Sequence, residues 1–120
     1  IEKAVAATKS FMSSLINLKL LYAYLSGNWD KAINDLKLTY LNTYNLFVPT
    51  SEKIIDEIVD KLKDQTDLIL LGKGIDYFLA MEGALKLKEV SYIHSEAIDL
   101  ATFKHGPLAL ISDKSYSISI

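Results

Sequence analysis

The feature that most constrains the fold of this chain is a short apolar run followed by two closely spaced glycines. The run Leu68–Leu71 stands directly before Gly72-Lys73-Gly74, and a stretch with helical character follows from about residue 75 to 92. A continuous apolar run of this length is typical of a buried strand in a parallel sheet. We therefore predict a βα unit, and hence an α/β fold, in this half of the chain.

The last quarter of the chain contains further candidates for the same sheet. Residues 95–100 are compatible with a short edge strand or a loop, and residues 108–111 with a short helix or turn. The alternating residues 116–120 predict the next strand. We expect 67–71 and 115–120 to be parallel strands of one sheet, with helix 75–92 as the crossover. Two strands do not complete such a sheet, so we interpret the chain as a truncated segment of a longer protein.

The first half of the chain is predicted to be helical. Apolar residues recur at helical spacing over residues 4–26, 29–47 and 53–62, with Gly27 and Asn28 between the first two segments. We interpret 49–51 as a break, with Thr50 or Ser51 as the N-cap of the third helix. Polar residues interrupt the apolar stretch 11–25, so no membrane span is predicted.

Composition excludes several kinds of function. The chain of 120 residues has 13 Lys and no Arg, a net charge of −2 and no basic patch, so we predict no nucleic-acid partner. Cysteine is absent, which excludes disulfides, Cys-based zinc sites and thiol catalysis and is compatible with a reducing, cytoplasmic location. With two His and no suitable carboxylate spacing, no metal site is predicted.

Three motifs are candidates for chemistry, and each also has a purely structural interpretation. The glycine turn 72–74 can present backbone N–H groups to a phosphate at a helix N-terminus, or it is simply a tight turn. At roughly 100° per residue, Glu82, Lys86 and Glu89 share one helical face, as a tuned general base or as a salt-bridge ladder. His105 precedes Gly-Pro in a constrained turn, suited to proton transfer or satisfied as an ordinary polar residue. We interpret His94 as structural.

Taken together, the motifs resemble a known family of enzymes. The segments 70–74, 80–94 and 103–111 resemble the isomerase part of the glucosamine-6-phosphate synthases, also called glutamine–fructose-6-phosphate aminotransferases (isomerizing). Residues 5–11 are similar, more weakly, to the end of the first of that family's two sugar-isomerase (SIS) domains. The resemblance implies an SIS-type parallel sheet flanked by helices and preceded by a helical segment. It further implies three parts: the last helix of a first SIS domain (1–27), a helical connector (28–64) and the first half of a second SIS domain (65–120).

The resemblance also implies roles for individual residues. Glu89 matches the carboxylate that moves a proton between C1 and C2 of the sugar, and Lys86 and Glu82 match residues that shape the site. His105 matches the histidine that helps to open the sugar ring across a dimer interface, and Val5 matches a backbone contact to the sugar. The implied substrate is a sugar phosphate and the implied assembly is a homodimer. No metal or organic cofactor is expected, because an imine or enolamine serves as the electron sink.

The sequence also departs from the family pattern. Ala7 replaces a usual Ser, Ala101-Thr102 stands where Gly-Glu is usual, and Phe103 replaces a Leu. The phosphate loop of the first SIS domain, the Schiff-base Lys and the glutaminase domain are absent from the segment, so we predict that the segment alone is inactive. The alternatives are another SIS-domain amino-sugar deglycase or isomerase, a non-catalytic sugar-phosphate-sensing SIS module, and a purely structural dimerisation segment.

Overall fold

A computed structural model describes residues 5–46, 48–112 and 115–120. The chain forms two compact units, Ile1–Lys61 and Leu62–Ile120. The elements follow in the order α1 (Thr8–Ser26), α2 (Trp29–Asn45), α3 (Pro49–Leu62), β1 (Asp67–Gly72), α4 (Ile75–Val90), β2 (His94–Asp99), α5 (Leu100–Phe103), a 3₁₀ turn (Pro107–Leu110) and β3 (Ser117–Ser119). Within the described ranges, none of the helices combines the length and the apolar character that a membrane span requires.

The first unit contains the two long helices that the sequence predicts. α1 ends where expected, because Gly27 adopts a left-handed conformation (φ 70°) and the Asn28 N–H donates to the Ala23 carbonyl at 2.9 Å. α1 begins at Thr8, later than the predicted residue 4, which lies outside the described residues. α2 ends at Asn45, and the predicted end at residue 47 also lies outside them.

The predicted start of the third helix is wrong. α3 begins at Pro49, and the Val48 carbonyl accepts from the N–H groups of Ser51 at 2.9 Å and Glu52 at 3.2 Å. Thr50 and Ser51 therefore lie inside the first turn and are not the N-cap. Proline at the first helical position loses no hydrogen bond there, and its fixed φ suits a helix, so Pro49 begins this helix instead of breaking it.

The second unit is built on a three-stranded parallel sheet in the order β2-β1-β3. Leu70 of β1 pairs with Ala97 of β2 on one side and with Ile118 of β3 on the other. The prediction that residues 67–71 and 115–120 form parallel strands of one sheet is confirmed. The sequence left residues 95–100 open between strand and loop, and the structure shows a full edge strand there.

The core of the second unit lies between α4 and the sheet. Leu68 and Leu70 of β1 pack against Ala80 and Ala84 of α4, and all four are buried. The glycine in this helix is required by the packing, because a Cβ on Gly83 would lie 3.0 Å from the Leu70 side chain. The small residues on this face therefore let α4 approach β1 closely.

The strand order places the two connections between strands on opposite faces of the sheet if both are right-handed. Strand side chains alternate, so Leu71 points away from α4, and it is nevertheless buried, as is Ile98 of β2. The first crossover leads from β1 to β2 on one side of β1. The second leads from β2 back past β1 to β3 on the other side, so the two run in opposite directions. Because parallel crossovers are almost always right-handed, we expect the segment after β2 to lie on the face opposite α4.

α4 ends two residues earlier than the predicted residue 92. The Ser91 N–H donates to the Leu87 carbonyl at 2.9 Å, and the Ser91 hydroxyl donates to the same carbonyl at 2.7 Å. Tyr92 then adopts a positive φ of 59°, which is uncommon for a residue with a Cβ. This left-handed residue turns the chain sharply enough for β2 to begin at His94.

Candidate functional site

Three charged side chains form a compact cluster on α4. The Lys86 Nζ lies 2.5 Å from the Glu89 Oε2 and 3.5 Å from the Glu82 Oε1. The three side chains are 19–23% exposed. We call these three residues the α4 cluster. The predicted common face is therefore observed, and it is partly shielded from water.

The charge balance of the α4 cluster favours a positively charged lysine. The hydrogen bond from Lys86 to Glu89 raises the pKa of the Lys86 ammonium above its usual value, although burial opposes this, and the charges of Glu89 and Glu82 act in the same direction as the bond. Two carboxylates share one ammonium, so one negative charge is left over. A carboxylate whose position is fixed on one helical face is one of the groups that act as a general acid or base.

The glycine turn has a demonstrable structural role. A Cβ on Gly72 would overlap the Asp76 carbonyl group, so only glycine lets the first turn of α4 approach β1. Gly74 adopts φ 61° and ψ −120°, a region that is open essentially to glycine. Gly74 precedes α4 and has no side chain with which to cap the first turn of this helix. Both glycines are thus explained by the backbone path, and phosphate binding by this turn stays a prediction.

His105 lies in the turn between α5 and the 3₁₀ segment. Its side chain is exposed, and its backbone N–H donates to the Thr102 carbonyl at 2.9 Å. Within the described part of the chain, no hydrogen bond or ion pair joins His105 to the α4 cluster. The two predicted proton-transfer groups are therefore not brought together by a hydrogen bond or ion pair within the described chain.

Val5 belongs to the other unit of the chain. It is 80% exposed and precedes α1. The residue was assigned to the site only through the family resemblance, and its contact with a sugar stays a prediction.

An ion pair that the sequence did not predict lies at the amino edge of the sheet. The His94 Nδ1 and the Asp67 Oδ1 are 2.8 Å apart across the first rung of the β1–β2 ladder, and the Thr66 hydroxyl donates to the other Asp67 oxygen at 2.8 Å. These two bonds, the one from Thr66 first, lower the pKa of Asp67 below its usual value. The predicted structural role of His94 agrees with this pairing. Its partner could not be found from sequence spacing, because only the strand register brings the two together.

The same edge carries a cavity that lies away from the α4 cluster. It has a volume of about 470 Å³ and is lined by residues of the strand ends and the segment before β3. None of its lining residues belongs to α4. This cavity therefore does not coincide with the α4 cluster.

A comparison with protein families identifies the second unit. Residues 61–120 match the family model described as SIS domain. This match begins at the same place as the second compact unit, and it includes the α4 cluster and His105.

Relatives of known name resemble almost the whole chain. It is 40% identical to a glutamine–fructose-6-phosphate aminotransferase [isomerizing] of Clostridium tetani over 99% of the chain, and 42% identical to one of Pyrococcus horikoshii over 93%. The chain spans only 21% and 19% of these two relatives, about a fifth of their length.

A solved structure agrees with these relatives. The C-terminal domain of glucosamine-fructose-6-phosphate aminotransferase from Francisella tularensis matches with a TM-score of 0.62 and 36% sequence identity. The match covers 77% of this chain and 26% of that one. The predicted SIS-type parallel sheet flanked by helices, and the resemblance from which it came, are confirmed.

Proposed function

Because this chain belongs to the SIS domain family, we propose that it is part of the sugar-isomerising half of an enzyme that converts fructose-6-phosphate and glutamine to glucosamine-6-phosphate and glutamate. The names of the relatives from Clostridium tetani and Pyrococcus horikoshii support the substrates and the reaction. The single observation in the structure that carries the proposal is the α4 cluster, in which a shielded carboxylate is held by one lysine.

Glu89 is the proton shuttle in this proposal. Ammonia derived from glutamine condenses with the C2 carbonyl of the open-chain ketose phosphate, and water leaves as the imine forms. The Glu89 carboxylate removes a proton from C1, the C1–H electron pair forms the C1–C2 double bond of an enolamine, and the C2=N electron pair moves to the nitrogen, which takes up a proton. The protonated Glu89 then gives its proton to C2 while the C1 hydroxyl releases its proton to solvent, which leaves a C1 aldehyde and a C2 amine. No metal or organic cofactor takes part, since the imine accepts the electron pair.

Lys86 and Glu82 keep the shuttle in place. The Lys86 ammonium holds Glu89 by a hydrogen bond of 2.5 Å, and Glu82 restrains the same ammonium from the other side at 3.5 Å. A general base whose position is fixed before the substrate arrives does not lose rate to reorientation. This is the reason why all three residues are needed on one helical face.

The site is completed by a second copy of the chain. His105 opens the sugar ring, but within the described residues no hydrogen bond or ion pair joins it to the α4 cluster of its own chain. This separation supports a homodimer in which each site combines Glu89 of one copy with His105 of the other. The exposed apolar faces of α1 and α2 supply surface for such an association.

The remaining parts of the proposal concern the layout of the parent protein. Residues 1–27 end a first SIS domain and contribute Val5 to the sugar, residues 28–64 connect the domains, and residues 65–120 begin a second SIS domain. The division of the chain near residue 61 supports this layout. The enzyme works in the cytoplasm, with neither a nucleic acid nor a membrane as a partner.

The test of the proposal is the substitution Glu89→Gln in the full-length protein. Glutamine keeps the size of the side chain but does not accept the proton, so kcat should fall about 10²- to 10⁴-fold with KM little changed. Glu57→Gln on α3, an exposed position, is the matched control. Conversion of fructose-6-phosphate is measured, with sugar affinity determined separately. A Glu89→Gln enzyme with near-normal kcat would refute the proposal.

The shared site has its own test. Full-length Glu89→Gln and His105→Ala proteins are each expected to be nearly inactive alone. After the two are dissociated, mixed and reassembled, each mixed dimer contains one site with both defects and one intact site. Random pairing then restores roughly a quarter of the wild-type activity. Activity that does not rise on mixing, although mixed dimers form, contradicts a site built from two copies.

A further inference from the structure

One residue joins the end of the edge strand to the start of the segment that carries His105. Asp99 is the last residue of β2 and pairs with Gly72 of β1. It is also the N-cap of α5, with an extended backbone (φ −64°, ψ 125°), and its Oδ1 accepts from the Ala101 N–H at 2.7 Å. The sheet therefore passes directly into α5 through this residue.

The hydrogen bonds continue from Asp99 to His105. The Thr102 hydroxyl donates to the Asp99 carbonyl at 3.0 Å, and the Thr102 carbonyl accepts from the His105 N–H at 2.9 Å. Three bonds thus connect the last rung of the sheet to the backbone of the histidine. Two of them end on Asp99, one on its carboxylate and one on its carbonyl.

This connection matters because no other hydrogen bond or ion pair in the described part of the chain holds His105. The ring is exposed, and no hydrogen bond or ion pair from its side chain is found within residues 5–46, 48–112 and 115–120. α5 has only four residues, which is too short to be stable without a cap. The position of the ring therefore depends on a turn that depends on Asp99.

We propose that Asp99 is a positioning residue for His105, acting through the cap of α5 and the turn that follows. The inference rests on the proposed function of His105 in opening the sugar ring, and it adds a residue that neither the motifs nor the resemblance singled out. Asp99 does not touch the substrate in this proposal. Its effect is confined to the step that His105 performs.

The experiment uses the full-length protein with Asp99→Ala, Asp99→Asn and the matched control Asp64→Ala, which removes an exposed carboxylate outside α5. Misplacement of a reacting group typically costs about 10- to 100-fold in rate, so kcat of Asp99→Ala on fructose-6-phosphate should fall by that factor. An asparagine side chain keeps an oxygen that can cap, so Asp99→Asn should restore most of the activity. The control should behave as wild type.

A second substrate separates positioning of His105 from a general loss of structure. The 5-deoxy analogue of the ketose phosphate has no hydroxyl with which to close the furanose ring and needs no opening. On this analogue Asp99→Ala should match the wild-type enzyme. An equal loss on both substrates, or no loss on either, overturns the inference.

Two further readouts keep the inference testable whatever the activity. Amide hydrogen exchange should speed up at Ala101 and His105 in Asp99→Ala and stay slow in the control. If Asp99→Ala does not fold, Thr102→Val is used, because it removes only the hydrogen bond from the Thr102 hydroxyl to the Asp99 carbonyl. It should lower kcat on fructose-6-phosphate but not on the analogue, and by less than Asp99→Ala. Unchanged kcat and unchanged amide exchange in Thr102→Val would overturn the inference. Glu89→Gln is assayed alongside: full activity there refutes the proposed function, whereas loss there with a normal Asp99→Ala refutes only the role of Asp99.

Discussion

The two units of the chain differ in how they bury their apolar residues, although both are rich in them. In the second unit, strand and helix residues close over one another and form a core around Leu68 and Leu70. In the described part of the first unit, only Ala23 and Ala32 are buried. Many large apolar side chains of α1–α3 are exposed, among them Leu18, Leu21, Leu25, Leu38, Leu41 and Ile55.

This difference separates two kinds of information in the sequence. The apolar period of α1–α3 is sufficient to specify helices, but many of their large apolar side chains stay exposed in the described chain. The apolar run of β1 specifies both a strand and its partners, since the sheet and α4 lie within the same sixty residues. Stability should therefore depend on the second unit, and association on the first.

The largest expected effect on stability comes from the core of the second unit. Leu70→Ala removes a buried side chain that contacts α4 and should lower the free energy of unfolding by about 2–5 kcal/mol. Leu18→Ala on α1 removes the same atoms from a side chain that is 62% exposed and should change it by less than about 0.5 kcal/mol. Urea unfolding of both variants checks the contrast. Equal losses would mean that the side chains of the first unit contribute as much to the free energy of unfolding as the core of the second.

Replacing a tyrosine by glycine should change the free energy of unfolding by a smaller amount. The change should be stabilising in the second unit and destabilising in the first. Tyr92 has a positive φ of 59° and is 89% exposed, so Tyr92→Gly should relieve about 1 kcal/mol of backbone strain. Tyr22→Gly, at an exposed position inside α1, should destabilise by about 0.5 kcal/mol through lost helix propensity. Thermal unfolding measures both changes. A lower melting temperature for Tyr92→Gly would show that its side chain has a contact that outweighs the strain.

The smallest effect is the pH dependence of the ion pair at the amino edge of the sheet. The pKa of Asp67 is lowered from its usual 3.8, first by the Thr66 hydroxyl and then by His94. Its stabilising contribution is therefore complete above pH 3.8 and is lost as the pH falls through the lowered value. Asp67→Asn should flatten the acid limb of the stability curve slightly. An acid limb identical to that of the wild-type chain contradicts a role for this pair.

The parts of the fold that the sequence predicted correctly have strong local signals. The run Leu68–Leu71 predicted β1, and the long helical period predicted α4. The edge strand β2 stayed ambiguous, because its sequence His-Ser-Glu-Ala-Ile-Asp mixes polar and apolar residues on both faces. The start of α3 was missed because proline is common both just after the end of a helix and at its first position. The hydrogen bonds accepted by the Val48 carbonyl show that Pro49 is at the first position of α3.

The candidate site also contains features that the local sequence predicts and features that it does not. The α4 cluster was predictable, since residues three and four apart on a helix are neighbours whatever the rest of the chain does. The cap of α5 by Asp99 was missed because a four-residue helix has too little sequence to be recognised. The pair between His94 and Asp67 depends on strand register over 27 positions, which no local pattern contains.

The central claim is that Glu89 removes and returns the proton of the sugar, and exchange with heavy water tests it most directly. The full-length protein is incubated with fructose-6-phosphate and glutamine in D₂O, and the sugar pool is followed by NMR at C1 and C2. The wild-type enzyme and Glu57→Gln should incorporate some solvent deuterium during turnover, because the proton held by Glu89 exchanges with the solvent in a fraction of the turnovers before C2 is protonated. Glu89→Gln should bind the sugar and incorporate none above the uncatalysed rate. Deuterium incorporation by Glu89→Gln at the wild-type rate would contradict the account.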